Sequence, residues 1–373
     1  MNLFRVEKIS TVVRRVPVAV PVRTSFGTMR DRPAVFLRVT DENGTHGYGE
    51  VWCNFPTVAA EHRARLAMDV VGPLVLGVEL PSDLAVFEWL MARLHVLALQ
   101  SGEWGPLRQV CAGFDAAIHD LAARRADLPL YHFLNAAAGA RIEAYASGIG
   151  PETPAATARS AAAAGHVAFK VKVGFGREMD LASLATMRAE IGPSRRLMAD
   201  ANQGWTLDEA LERGGEYMTF DLDWLEEPLP ADRPVEEWRT LAEGIPVRLA
   251  AGENINRRSR FDAVLAAGLL GVVQPDVAKW GGVSCCMAVA RETMRRGASY
   301  CPHFLGGGVG LITSAHLLAA QAGNGLLEMD VNPNPLRDEM TAGFLDVEEG
   351  GITLSDRPGI GIAPDDLFDL GSS

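Results

Sequence analysis

Through the first fifty residues apolar and polar positions alternate, as in VFLRVTDENGTHGYGEV, the period of strands with one buried face. Asp41-Glu42-Asn43-Gly44 interrupts two such runs with turn-forming residues and predicts a hairpin. From about 58 to 134 the period lengthens. AAEHRARLAMDVVGPLVLG, DLAVFEWLMARLHVLAL and GFDAAIHDLAARRA place apolar residues at i, i+3, i+4 and i+7, predicting helices. Strands followed by helices predict a small α+β domain over residues 1–134. From about 142 short apolar runs alternate with helical stretches: IEAYASG, AFKVKVG, RLMADAN, DWLEEP, VRLAAGE, GVVQPDV, SYCPHF and LLEMD. Eight strand–helix repeats predict closure of a parallel sheet into a barrel over 135–330. The last run meets a Pro/Asn-rich segment, VNPNPLRDEM, where a helix would stand. The expected fold is therefore a modified TIM barrel, (β/α)7β, capped by the N-terminal domain, with residues 331–373 returning to complete the cap.

Composition changes this picture little. A length of 373 residues exceeds the usual single core and agrees with a barrel plus an added domain. The net charge of −12 argues against a nucleic-acid partner, whose phosphates would be repelled. The five cysteines show no CxxC spacing, which favours reduced thiols. The first residues, MNLFRVEKIS, have no apolar signal core, and no apolar run reaches the length of a membrane span. A soluble cytoplasmic protein is expected.

The ionisable residues carry more information. Lys172, Asp200, Glu226, Glu253, Asp276, His303 and Glu328 each fall at or near the end of one predicted strand, 23 to 28 residues apart. That spacing is one β/α unit, so they advance strand by strand around the ring and meet at the C-terminal rim, where such barrels hold their active sites. Asp200, Glu226 and Glu253 stand on consecutive strands. Crowded carboxylates raise one another's pKa unless a cation intervenes, and all-oxygen ligation favours Mg²⁺ over Zn²⁺. Lys170 and Lys172 lie two apart in AFKVKVG, so both point into the barrel. Two ammonium groups this close depress each other's pKa, which predicts Lys172 as a general base. Asp276 and His303 fall on neighbouring strands, where a carboxylate would fix the imidazole tautomer.

These stretches, KVKVG, ADANQGW, WLEEP, AGEN, QPDVAKWGG, PHF and LLEMD, together with GFDAAIHDL nearer the N-terminus, resemble the enolase superfamily. Within it they resemble the mandelate racemase/muconate lactonizing enzyme family, in its mandelate racemase subgroup. The resemblance covers almost the whole chain. It implies Mg²⁺ held by Asp200, Glu226 and Glu253, with the first acid of the Glu226-Glu227 pair as the ligand. It implies Lys172 as the base on one face of a carboxylate substrate, with Lys170 as its electrostatic partner, and His303 with Asp276 as the acid/base pair on the other face. Glu328 would hydrogen-bond the substrate carboxylate opposite the metal, Asn202 would reach an α-hydroxyl, and Lys279 would join the network near Asp276. Members of this family commonly form even-numbered homo-oligomers.

Removing a proton α to a carboxylate places a second negative charge on the same group. Mg²⁺, Lys170 and a protonated Glu328 would stabilise it. Reprotonation from the other face then racemises, loss of a β-hydroxyl dehydrates, and loss of a ring oxygen opens a lactone. Specificity is expected from two cap loops, one with Thr24, Ser25, Phe26, Thr28 and Arg30, the other with Trp52, Asn54 and Phe55. Hydroxyls, an amide and an arginine suit a sugar acid or its lactone, and Gly306-Gly307-Gly308 would leave room above the metal. Dehydration of a sugar acid is the leading expectation, with cycloisomerisation or racemisation next. Two further classes stay open: a barrel that binds metal without chemistry, and a phosphate-binding barrel enzyme, for which those glycines partly supply the loop.

Overall fold

The computed structural model describes residues 3–24 and 27–369. Four antiparallel strands, β1 (Leu3–Thr24), β2 (Gly27–Asp41), β3 (His46–Val51) and β4 (Glu79–Pro81), form one sheet in the order β3-β2-β1-β4. The turn between β2 and β3 is the expected hairpin. The Asp41 carboxylate accepts from the backbone N–H of Asn43 and Thr45, and Gly44 takes the positive φ (80°) that closes the loop. The helix Trp104–Arg125 packs across this sheet so closely that a Cβ on Gly47 or Gly49 would collide with the carbonyls of Ala117 and Gly113. The three apolar periodicities between 58 and 134 appear as a broken helical run from Ala59 to Val75 and as the helices Val86–Ser101 and Trp104–Arg125.

All eight strands read from the second half of the sequence are present. They are β5 (Arg141–Ile149), β6 (Ala168–Lys172), β7 (Arg196–Asp200), β8 (Leu222–Glu226), β9 (Leu249–Ala251), β10 (Val272–Val273), β11 (Ser299–Tyr300) and β12 (Leu326–Asp330). They pair in parallel in the order β11-β10-β9-β8-β7-β6-β5-β12, a nearly closed barrel. At the seam between β11 and β12 the Leu326 N–H reaches the Cys301 sulfur instead of a ladder carbonyl. The barrel interior is floored by Tyr145, Ala168, Met198, Trp224, Ala250, Val272 and Leu326, one from each of seven strands, and by Cys301 just after β11. This packed layer makes the barrel a core and leaves only its C-terminal end for polar groups.

After β12 the chain does form a short helix, Pro335–Thr341, where the Pro/Asn composition predicted none. Pro335 opens it, in the first turn, where an N–H has no partner within the helix. The chain then pairs β13 (Gly351–Thr353) antiparallel to β5 and runs back to the N-terminal sheet. There Asp365 accepts from Arg38 and from the Tyr48 hydroxyl. All five cysteines are free and buried. Among the described residues no helix is long and apolar enough to cross a membrane.

Candidate active site

Period-2 geometry on β6 separates its residues cleanly. Phe169 and Val171 are buried against the surrounding helices, Ala168 belongs to the barrel floor, and Lys170 and Lys172 rise toward the mouth. In register, Lys172 pairs with Asp200 and Asp200 with Glu226, so three neighbouring strands set their charged residues side by side. The Lys170 ammonium is fully buried, 2.5 Å from Glu226 and 2.7 Å from Glu328, with the Tyr145 hydroxyl at 3.4 Å. Burial opposes its charge, but Glu226 and Glu328 outweigh burial and raise its pKa well above that of a free lysine.

Lys172 lies 2.5 Å from Asp200. Here the expectation of a depressed lysine is corrected. Burial and Lys170 lower its pKa, yet the Asp200 carboxylate prevails and the net shift is upward. Glu328 also departs from expectation. Burial favours its neutral form, but Lys170, His303 and the Ser147 hydroxyl at 2.5 Å hold its pKa down to about 2. The shift runs away from the protonated carboxyl expected of Glu328, with the Lys170 ammonium at 2.7 Å as its nearest counter-charge.

Across the mouth, His303 Nδ1 lies 2.7 Å from Asp276, whose other oxygen accepts from the N–H groups of Ala278 and Lys279. Those two backbone bonds fix the carboxylate and, through it, the imidazole. His303 Nε2 meets Glu253 at 2.9 Å, and Glu253 with Glu328 raises the imidazole's pKa well above its usual value despite burial. Lys279 Nζ bridges Glu253 at 3.0 Å and Asn254 at 2.9 Å and lies 4.8 Å from the centre of the Trp52 ring. Asn202 takes a left-handed φ of 44°, and its backbone N–H binds Asp200 at 2.8 Å.

Among the described residues no three His, Cys, Asp or Glu side chains already surround one point at metal-ligand spacing. Asp200 is engaged by Lys172, Glu226 by Lys170, Trp224 and Gln274, and Glu253 by Lys279 and His303. The donor chemistry nevertheless suits a hard divalent cation. Six carboxylates (Asp200, Glu226, Glu227, Glu253, Asp276, Glu328) crowd this end of the barrel against Lys170, Lys172, Lys279 and His303, an excess of negative charge even with the histidine protonated. Its strain is visible: burial together with Asp200 and Glu328 pushes Glu226 up to about 7. Burial, Glu253 and Asp200 likewise raise Glu227 well above the usual carboxylate range.

The cap loops are less converged. Ser25 and Phe26 lie outside the described residues, and Thr24 closes β1 with its backbone paired to Gly27. Thr28 and Arg30 are exposed. The buried arginine of this strand is Arg32, whose guanidinium binds Asp330 at the end of β12 at 2.9 Å. Trp52 packs under Lys279, while the Asn54 amide is used on the Leu305 carbonyl at 2.7 Å. The glycine trio does not open space. A Cβ on Gly306 would meet Glu50 at 2.7 Å, one on Gly307 would meet Phe36 at 2.8 Å, and one on Gly308 would strike Met340, so the glycines permit close packing of the cap. Sequence reasoning passed over Ser147, Asn254 and Gln274, and took Glu227 only as the second acid of its pair. Ser147 and Gln274 follow floor residues by two, the same inward period that marked Lys170.

A parallel barrel with lysine and histidine across a carboxylate cluster defines a class of lyases and isomerases. Comparison with known proteins is consistent with it. Residues 8–135 match the mandelate racemase/muconate lactonizing enzyme N-terminal domain, and residues 153–367 match the enolase C-terminal domain-like family. The chain belongs to the mandelate racemase/muconate lactonizing enzyme family of the enolase superfamily and is an enzyme. It is 29% identical to D-galactarolactone cycloisomerase of Agrobacterium fabrum, covering 89% of each chain. To arabinonate dehydratase of Saccharolobus solfataricus it is 28% identical, over 88% of this chain and 87% of the relative. A crystal structure of a mandelate racemase/muconate lactonizing enzyme from Bordetella bronchiseptica RB50 is 46% identical, covers 99% of both chains and superposes with a TM-score of 0.91.

Proposed function

We propose that this enzyme abstracts the proton α to the carboxylate of a sugar acid, with Mg²⁺, and completes a dehydration. The observation that carries this reading is the placement of Lys172 and of the His303–Asp276 pair on opposite sides of the Asp200, Glu226 and Glu253 strand ends. Held by those three carboxylates, Mg²⁺ would neutralise the charge that keeps Lys172 protonated and would draw electron density from the substrate carboxylate, while Glu328 and Asp276 keep the proton on His303. Lys172, freed from Asp200, takes the α-proton. The electron pair moves onto the carboxylate, where the buried Lys170 ammonium offsets the new charge. His303, oriented by Asp276, gives its proton to the β-hydroxyl, which leaves as water as the pair returns to form the double bond; the enol then tautomerises to a 2-keto-3-deoxy acid. Asn202, beside Asp200, would meet a hydroxyl on the carbon that loses the proton, and Trp52 and Lys279 would line the substrate toward the cap.

A second reading rests on the similarity to a lactone cycloisomerase: the same proton removal followed by loss of a ring oxygen. Proton NMR in D₂O with Mg²⁺ separates them, using pooled aldonates, aldarates and aldarolactones. Loss of one α-proton signal with new methylene signals is the dehydration outcome. Ring opening without loss of water would establish the second reading, and intact α-protons throughout, with Mg²⁺ bound, would sink both. Glu226→Gln should abolish Mg²⁺ binding and turnover together; turnover without a change in Mg²⁺ affinity would remove Glu226 from the ligand set.

A further inference from the structure

The loop that follows His303 is held from outside the barrel. Phe304 N–H binds Glu328 at 3.2 Å, within the polar cluster already described. Among the described residues, the side chains that bind the backbone of 305–307 come from other parts of the chain. Asn54 donates to the Leu305 carbonyl at 2.7 Å, and Asn334, in the C-terminal segment, donates to the Gly306 carbonyl at 2.7 Å. Glu50, at the inner end of β3, accepts from Gly307 N–H at 2.5 Å with one oxygen and from Gly310 N–H at 2.9 Å with the other. Those N–H groups belong to the first turn of the helix Gly308–Gln321 and its cap, whose free donors have no partner within the helix. Glu50 is 4% exposed and Asn54 8% exposed, so water cannot replace either bond.

Glycine at 306 and 307 makes the grip tight. A side chain at either position would run into Glu50. The loop therefore has one seat, set by a carboxylate and an amide from the N-terminal sheet domain. His303 stands one residue before it, and its bond to Asp276 spans only 2.7 Å. A displacement of about 1 Å at a reacting group can reduce rate on the order of a hundredfold.

We infer that Glu50 and Asn54 are positioning residues for His303: the N-terminal domain sets the geometry of one of the two opposed acid/base groups and leaves the other alone. Lys172 sits on β6, three strands away around the seam, and shares no contact with this loop. The inference rests on the proposed roles of Lys172 and His303, and it assigns the cap a part in catalysis separate from substrate selection.

The test is the ratio of two activities in one protein. Solvent deuterium exchange at the α-carbon is followed by NMR with Mg²⁺, using the two C2 epimers of a 3-deoxyaldonate, which lacks the β-hydroxyl and cannot dehydrate. Lys172→Ala and His303→Asn identify which epimer reports each face. In Glu50→Gln the amide offers one oxygen to two donors, and Asn54→Ala removes the second contact with less disturbance of packing. Both variants should lose tenfold or more, on the order expected for a displaced reacting group, on the His303 face while Lys172-face exchange is retained. Partial misfolding would lower both faces equally and leave the ratio unchanged, so an unchanged ratio overturns the inference. If the wild-type protein exchanges neither epimer, the functional reading fails, and the crystal structure of Glu50→Gln decides the positioning alone. A shifted 304–308 loop with the His303–Asp276 contact opened supports it, and an unmoved loop overturns it.

Discussion

At the scale of single residues the site is a problem of charge balance solved by neighbours. Lys170 is the clearest case, an ammonium with no exposure that shares its charge between Glu226 and Glu328. Removing one partner of a buried ion pair leaves the other charge uncompensated, which costs about 3–5 kcal/mol. Lys170→Met should therefore lower stability by that order in EDTA, read from urea unfolding. Added Mg²⁺ should restore part of the loss, because a cation on Glu226 supplies the missing positive charge. A loss that Mg²⁺ does not change would argue that Glu226 is not among its ligands. The chemistry-bearing residues were legible in the sequence because strands obey a period of two and the barrel a period of one β/α unit. Their protonation was not. That Lys172 is raised and Glu328 lowered follows from which partner stands closest, and those distances depend on register and rotamer.

At the scale of elements, the cap is joined to the barrel by buried acids on one helix. Asp115 accepts from Phe87 N–H, at the start of the helix Val86–Ser101, and from both the N–H and hydroxyl of Ser284, in the first turn of the helix after β10. Asp120, one and a half turns along, accepts from Tyr48 N–H on β3 and from Ile360 N–H in the C-terminal segment. Each acid thus ties its own helix to two segments that are distant from it in sequence. Asp115→Ala would leave two buried N–H groups without an acceptor, which costs about 2–4 kcal/mol. Urea unfolding should show the lowered midpoint; a change under about half a kcal/mol, the range of an inert surface substitution, would mean that the helix Trp104–Arg125 is held by its apolar face alone. The helices and strands themselves were readable from periodicity, since apolar spacing states which face is buried. What the spacing could not give was the face presented by the long β1–β2 hairpin. A register irregularity between Pro17 and Val22 breaks the simple alternation, and the buried arginine is Arg32 where the loop chemistry had pointed to Arg30.

At the scale of the whole molecule, the barrel and the helix Leu130–Leu134 that precedes it share a buried histidine that makes stability depend on pH. His316 lies inside the helix Gly308–Gln321 at 1% exposure. Its Nδ1 accepts from Tyr131 N–H at 3.2 Å, and its ring stacks on Tyr131 with centroids 5.4 Å apart. Burial lowers its pKa to about 3, so the folded protein keeps it neutral, whereas the unfolded chain binds a proton near the ordinary value of about 6.5. A base depressed in this way favours folding fully above 6.5 and progressively less as pH falls toward 3, because only the unfolded state takes up the proton in that window. Between pH 7 and pH 5 the loss from this one group is about 2 kcal/mol. His316→Gln keeps an acceptor for Tyr131 and has no proton to bind, so its stability should fall less over the same interval. The measurement is urea unfolding of both proteins at pH 7 and pH 5. Every other titrating group, including the crowded carboxylates at the barrel mouth, contributes equally to the two proteins and cancels in the comparison. Parallel losses would mean that His316 is protonated in the folded state and that Tyr131 N–H is satisfied elsewhere. A shallower slope in the variant would place an acid-sensitive element at the junction of helix Gly308–Gln321 with helix Leu130–Leu134, on the same helix whose first turn Glu50 holds.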